Sequence, residues 1–157
     1  MTQIELLLKS LDSAVNFELG EAFTDFPDAD LWKRPDPRLL SFGELACHIG
    51  YGEATSILGE SFESPLIQKN SSYYPYNVES PVAHTMTSAE LFEEIKRIHA
   101  ACREHILSEP REITDPSPRR EGWTLGYVLE YMAFHTAYHT GQMYSVRHLL
   151  GHQTPDN

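Results

Sequence analysis

Four stretches of this chain repeat their apolar residues at spacings of three and four, and none of comparable length alternates at two. That period restricts the chain to helices packed on helices. In the first stretch Ile4, Leu7, Leu8, Leu11, Val15, Leu19 and Ala22 form one apolar stripe. Pro27 and the Pro35/Pro37 pair end anything helical after it. The second opens on Ser41-Phe-Gly-Glu44, a capping box in which Ser and Glu satisfy backbone N–H groups at a helix start. Phe42, Leu45 and Ile49 continue its stripe, and Gly59 is its stop. The third begins at Thr87-Ser-Ala-Glu90, again a capping box in form. Leu91, Ile95, Ile98, Cys102 and Ile106 line its inner face until Pro110. The fourth runs from Thr124 to Leu150, with Gly151 beyond it, and would span roughly 40 Å at about 1.5 Å per residue. The expected fold is all-α: a four-helix bundle with long inter-helix loops, one domain over residues 1–157.

Charge narrows the partners. Twelve Lys and Arg against 23 Asp and Glu give a net charge of −11. Such a surface repels phosphate backbones and anionic lipid, so neither nucleic acid nor a membrane is an expected partner. No apolar run approaches the roughly 18 residues that cross a bilayer. The N-terminal stretch lacks a basic leader and a small-residue cleavage site, so no signal peptide is read there. Cys47 and Cys102 are the two cysteines. They cannot form a disulfide framework, and a reducing cytoplasm is the simpler compartment.

Two connections stand out. The segment from Gly59 to Met86 holds Tyr73, Tyr74, Tyr76 and His84. It reads either as a packed excursion with an aromatic clasp or as a lid over a bundle cavity. The segment from Ser108 to Trp123 reads as a connector.

The chemistry concentrates in Tyr131-Met-Ala-Phe-His-Thr-Ala-Tyr-His-Thr-Gly-Gln-Met143. His135 and His139 are four apart, so both imidazoles leave one helix face a turn apart. They also occupy the inner stripe of the fourth helix, where Leu125, Val128, Met132, Met143 and Val146 set the pattern. Buried imidazoles are costly unless their nitrogens find partners. A metal ion is such a partner, and His48, on the inward side of the second helix, offers a third nitrogen. The other i,i+4 pair, His148/His152, falls off the stripe or past Gly151 and reads as solvated or capping.

Other chemistries fit less well. A zincin motif needs Glu after its first His, but Thr136 stands there. A carboxylate-bridged di-iron bundle needs Glu three before each His, but Met132 and Thr136 occupy those positions. Glu44 is assigned to the Ser41 cap rather than to orienting His48, and Glu53 is expected at the surface. Cys47 and His48 diverge by about 100° as helix neighbours and cannot act as a pair; Cys47 and Cys102 read as packing residues. The basic pairs Lys33-Arg34 and Arg119-Arg120 are too short for a nucleic-acid footprint.

The segment Trp123-Thr-Leu-Gly-Tyr-Val-Leu-Glu, continuing through His135-Thr-Ala-Tyr-His139-Thr-Gly-Gln-Met to Leu-Leu-Gly151, resembles the C-terminal signature of the DinB/YfiT-like superfamily of metalloenzymes. Pro37-Arg-Leu-Leu-Ser-Phe-Gly-Glu-Leu-Ala-Cys-His48 is similar to that family's second-helix signature. The resemblance implies a four-helix bundle with one divalent metal on three side chains, which map onto His48, His135 and His139. Thiol-transferase relatives often carry Glu at the first paired position, whereas this chain has His135, an all-histidine set. Family members with known activity are mostly S-transferases using low-molecular-weight thiols, with some isomerases and hydrolase-like proteins, and they are commonly homodimers.

Three protein ligands leave a coordination position open, the mark of a catalytic rather than a structural site. Neutral imidazoles leave the ion's charge unquenched, so a thiol or water beside it becomes acidic. Nitrogen donors suit zinc, with nickel second. The expected function is therefore a metal-dependent S-transferase or hydrolase acting on a small molecule, with a thiol cosubstrate and no assigned acid–base residue. The alternative is a non-catalytic metal- or small-molecule-binding or stress-response protein on the same bundle, which predicts no substrate-sized cavity beside the metal. His84 is the one candidate for a fourth ligand.

Overall fold

A computed structural model describes residues 1–67 and 84–154. Four long helices account for the fold. Helix α1 (Gln3–Ser13) continues through a π-helical stretch (Ala14–Leu19) into a last α-helical turn (Gly20–Phe23). It is followed by α2 (Phe42–Ile57), α3 (Ser88–Leu107) and α4 (Leu125–Leu149), with short 3-10 turns at Asp28–Asp30 and Pro65–Ile67. No strand occurs among the described residues. The tyrosines at 73, 74 and 76, and with them the lid reading, lie outside the described residues.

Each helix begins where local chemistry dictates. Thr2, Ser41 and Thr87 close reciprocal capping boxes with Glu5, Glu44 and Glu90. Thr124 caps α4 by accepting from the Tyr127 N–H. Gly59 and Gly151 end α2 and α4 at φ of +96° and +88°, a conformation that a side chain would strain. The Glu44 carboxylate serves its cap and also pairs with Arg34, both side chains nearly buried.

The π stretch departs from the uniform helix that the pattern suggests, and the spacing explains it. Leu11, Val15 and Leu19 are separated by two successive fours, which in an α-helix rotates the stripe by about 80°. The wider turn keeps Val15 and Leu19 fully buried. Its Glu18 carbonyl accepts a hydrogen bond from Tyr144 of α4.

Helix α2 is enclosed by α3, α4 and the turn at Pro65–Ile67. Every residue of α2 is buried except Tyr51 and Thr55. The apolar residues of all four helices merge into one core cluster, with Leu8, Phe42, Ile95 and Met132 at its centre. Arg147 ties α4 to the end of α1. Its guanidinium donates to the carbonyls of Ala22, Thr24 and Gln153, satisfying acceptors that a helix end leaves open. His152 bonds Asp30 at 2.8 Å, while His148 is exposed, in keeping with a pair outside the core.

Glu53 corrects the sequence reading. Instead of facing water it is 1% exposed, and one of its oxygens meets Nδ1 of His99 at 2.8 Å. Nε2 of His99 meets Asp12 of α1 at 2.9 Å. Enclosure by α3 at that position turns the carboxylate inward, where a second buried ionisable group compensates it. Burial opposes the charged imidazole, but the hydrogen bonds and charges of Glu53, then Asp12, outweigh it and raise the His99 pKa. The cluster joins α1, α2 and α3.

Replacing His99 with Leu strands the Glu53 carboxylate in the core. We expect a loss of about 3–5 kcal/mol in urea unfolding, against about 0.5–1.5 kcal/mol for Ile98→Val beside it; equal losses would show that the ion pair does not matter. His99 also predicts that stability falls as pH rises from about 6.5 through its raised pKa, because the stabilising charge is then lost.

Candidate metal centre

Helix α2 carries His48, Tyr51, Gly52 and Thr55 on one face at helical spacing, and α4 turns Tyr131, His135, Tyr138 and His139 toward them. The three imidazoles form a nearly equilateral triangle. Ring centroids lie 4.8 Å apart for His48–His135, 4.6 Å for His48–His139 and 4.5 Å for His135–His139. One nitrogen from each lies within 4.8 Å of the others, and all three side chains are buried. The structure thus brings together all three residues singled out in the sequence. His84 does not join them; it lies against Trp32, with ring centroids 5.7 Å apart. Cys47 and Cys102 are buried and not joined in a disulfide.

The contacts explain how each ring is held. Nδ1 of His139 faces the Gln142 side-chain oxygen at 2.7 Å, so Nδ1 carries the proton and Nε2 presents its lone pair. Nε2 of His135 and Nε2 of His48 face each other at 3.0 Å. Two nitrogens bound tetrahedrally to one ion at about 2.0–2.1 Å would lie about 3.3 Å apart. Gly52 eases the approach: a Cβ there would come within 3.1 Å of the His135 ring, which would have to give by a few tenths of an ångström.

The donor set fits a divalent ion. Burial pushes His48 down to about 4, with the nearby His139 as a second cause. His135 falls to about 3, from burial first and then from His48, His139 and Arg120. His139 is lowered by burial, partly offset by Gln142. All three rings are therefore neutral near pH 7, with lone pairs available. His99 gives the internal contrast. It satisfies both ring nitrogens with carboxylates, whereas Nδ1 of His135 has no hydrogen-bond partner among the described residues. The first is a buried histidine used for structure; the second is poorly explained by hydrogen bonding alone.

The triad forms one wall of a cavity of about 460 Å³. Tyr51 and Thr55, the two residues of α2 left incompletely buried, line it, as do Tyr131, Phe134, Tyr138 and Arg120. A second cavity of about 380 Å³ shares Tyr138 and includes Gln142, but none of the three histidines lines it.

The sequence profile of the DinB superfamily matches residues 18–143, a span that includes all three histidines. The chain belongs to the DinB superfamily. No curated protein and no solved structure matches it. In this DinB-superfamily chain the three histidines and the cavity beside them make up the candidate site.

Three contributors escaped the sequence reading. Gln142 could have been found, since it follows His139 by three and so shares its face. Gly52 follows His48 by four, a small residue on the same face. Arg120 left no readable signal, because its segment reads as a connector and its position depends on tertiary packing.

The lowered histidine pKa values predict an acid-sensitive metal-free protein. Unfolded histidines take up protons near pH 6.5, while the buried rings resist until about 4. Their stabilising contribution is complete above 6.5 and is lost as pH falls toward 4. Urea unfolding at pH 7, 6 and 5 should show this decline, and it should flatten in the His48→Gln/His135→Gln variant. An unchanged slope in the variant would contradict the assignment.

Proposed function

We propose that the protein is a metal-dependent enzyme, an S-transferase or hydrolase acting on a small molecule, with its divalent ion held by His48, His135 and His139. The observation that carries this reading is the triangle of buried neutral imidazoles in the wall of a cavity large enough for a small substrate. A protein that binds only a metal needs no such cavity, so the cavity favours a site that takes a small molecule beside the ion. Zinc suits three imidazoles best, with nickel second. When bound, the ion supplies Lewis acidity and lowers the pKa of a thiol or water beside it.

The chain's own residues do the rest. Gln142 holds the His139 tautomer that donates a lone pair. Tyr131 and Phe134 supply aromatic wall, against which the apolar part of a substrate packs and water is displaced. A low-molecular-weight thiol cosubstrate and a homodimer follow from the family resemblance. The exposed aromatic residues Tyr127, Phe134 and Tyr138 of α4, the last two at the rim of the cavity, are the apolar surface that a second copy would cover. No helix among the described residues is long and apolar enough to cross a membrane, which is compatible with a small-molecule enzyme free of the bilayer.

Elemental analysis of the purified protein beside His139→Ala tests the ion site. Near-stoichiometric zinc or nickel is expected in the parent and little in the variant; equal content would overturn the assignment. Gln142→Ala should weaken zinc binding by about 10- to 100-fold without unfolding the bundle, read by competition with a chromophoric chelator. Turnover of thiol and electrophile pairs that persists after complete metal removal would refute the mechanism.

A further inference from the structure

We propose that Arg120 is an anion-binding residue of the metal cavity, and that the small-molecule substrate carries a carboxylate as well as the group that meets the ion. The inference rests on the metal reading of the triad and adds the substrate's charge to it.

In a chain of net charge −11, no Asp or Glu is among the described residues that line this cavity, and Arg120 is the one Lys or Arg among them. The other arginines are committed elsewhere. Arg34, Arg38, Arg97, Arg103 and Arg111 pair with carboxylates. Arg119 donates to the Leu58 carbonyl, and Arg147 spans three carbonyls. Arg120 has no carboxylate partner among the described residues. Its Nε and one terminal nitrogen both donate to a single hydroxyl, Ser56 Oγ, at 3.1 and 2.8 Å. One terminal nitrogen is thereby left without any of these bonds.

The guanidinium is also held in place. It stacks 4.9 Å from the Trp123 ring centre and lies 5.7 Å from that of Tyr131. Tyr131 is in turn 5.7 Å from the His135 ring, so guanidinium and imidazole are at most twice that distance apart along one wall. A half-buried cation without a counter-charge is unfavourable until an anion arrives, and a fixed guanidinium fork matches a carboxylate in shape and charge. A divalent ion at one end of the wall and Arg120 at the other select a molecule with a metal-binding head and a carboxylate tail.

The test is calorimetric titration of the zinc-loaded protein with mercaptoacetate, 3-mercaptopropionate and 4-mercaptobutyrate. Each is compared with its neutral alcohol: 2-mercaptoethanol, 3-mercapto-1-propanol or 4-mercapto-1-butanol. At least one acid should bind about tenfold or more tightly than its alcohol. Arg120→Gln should abolish that preference while leaving zinc content unchanged and alcohol affinity within about twofold. Arg120→Lys, which keeps the charge without the fork, should retain part of the preference. Equal binding of acids and alcohols, binding of neither, or equal weakening of both in Arg120→Gln would overturn the proposal while the metal reading stands. A parent protein that takes up no zinc overturns both.

Discussion

Burial strips water from three imidazoles between α2 and α4, and their nitrogens must then be satisfied by one another or by something they share. The rest of the site follows from that requirement. The two helices must come close, so α2 has Gly52 where the His135 ring arrives. The rings must stay neutral, and enclosure does that with no acid among the described residues of the cavity lining. The tautomer must be set, and Gln142 sets it for His139 from one turn away on the same helix.

Helix α2 carries a second buried histidine interaction on a different face. Glu53, the residue after Gly52, meets His99 of α3, which reaches Asp12 of α1. Here both imidazole nitrogens are spent on carboxylates, and the ring is biased toward its cation. The triad is biased the opposite way. Two histidine clusters that meet α2 a few residues apart thus have opposite protonation preferences, which follows from their neighbours: acids at one, none among the described residues lining the other. One holds helices together; the other leaves lone pairs available at a cavity wall.

Much of this was legible in the residues. The caps at Ser41 and Thr87, the stops at Gly59 and Gly151 and the stripe of α4 are local signals, and local chemistry set the helices where those signals stand. The inward facing of His135 and His139 followed from the same periodicity, since each sits where Leu or Met would continue the stripe. What could not be read depends on contacts between segments far apart in the chain. Glu53 looked like a surface carboxylate because the residue that compensates it, His99, is 46 positions away. Arg120 looked like half of a short basic pair in a connector, and only its fixing by Ser56 and Trp123 brings it to the cavity. The π stretch was hidden for a subtler reason: a spacing of four serves either helix type until the packing of Val15 and Leu19 decides.

The account stands on three imidazole nitrogens sharing one ion, and X-ray absorption at the zinc edge of the loaded protein addresses that most directly. It predicts a first shell of nitrogen and oxygen at about 2.0–2.1 Å, with outer-shell scattering of three imidazoles and no sulfur. A sulfur shell near 2.3 Å, or a spectrum without imidazole scattering, would contradict it.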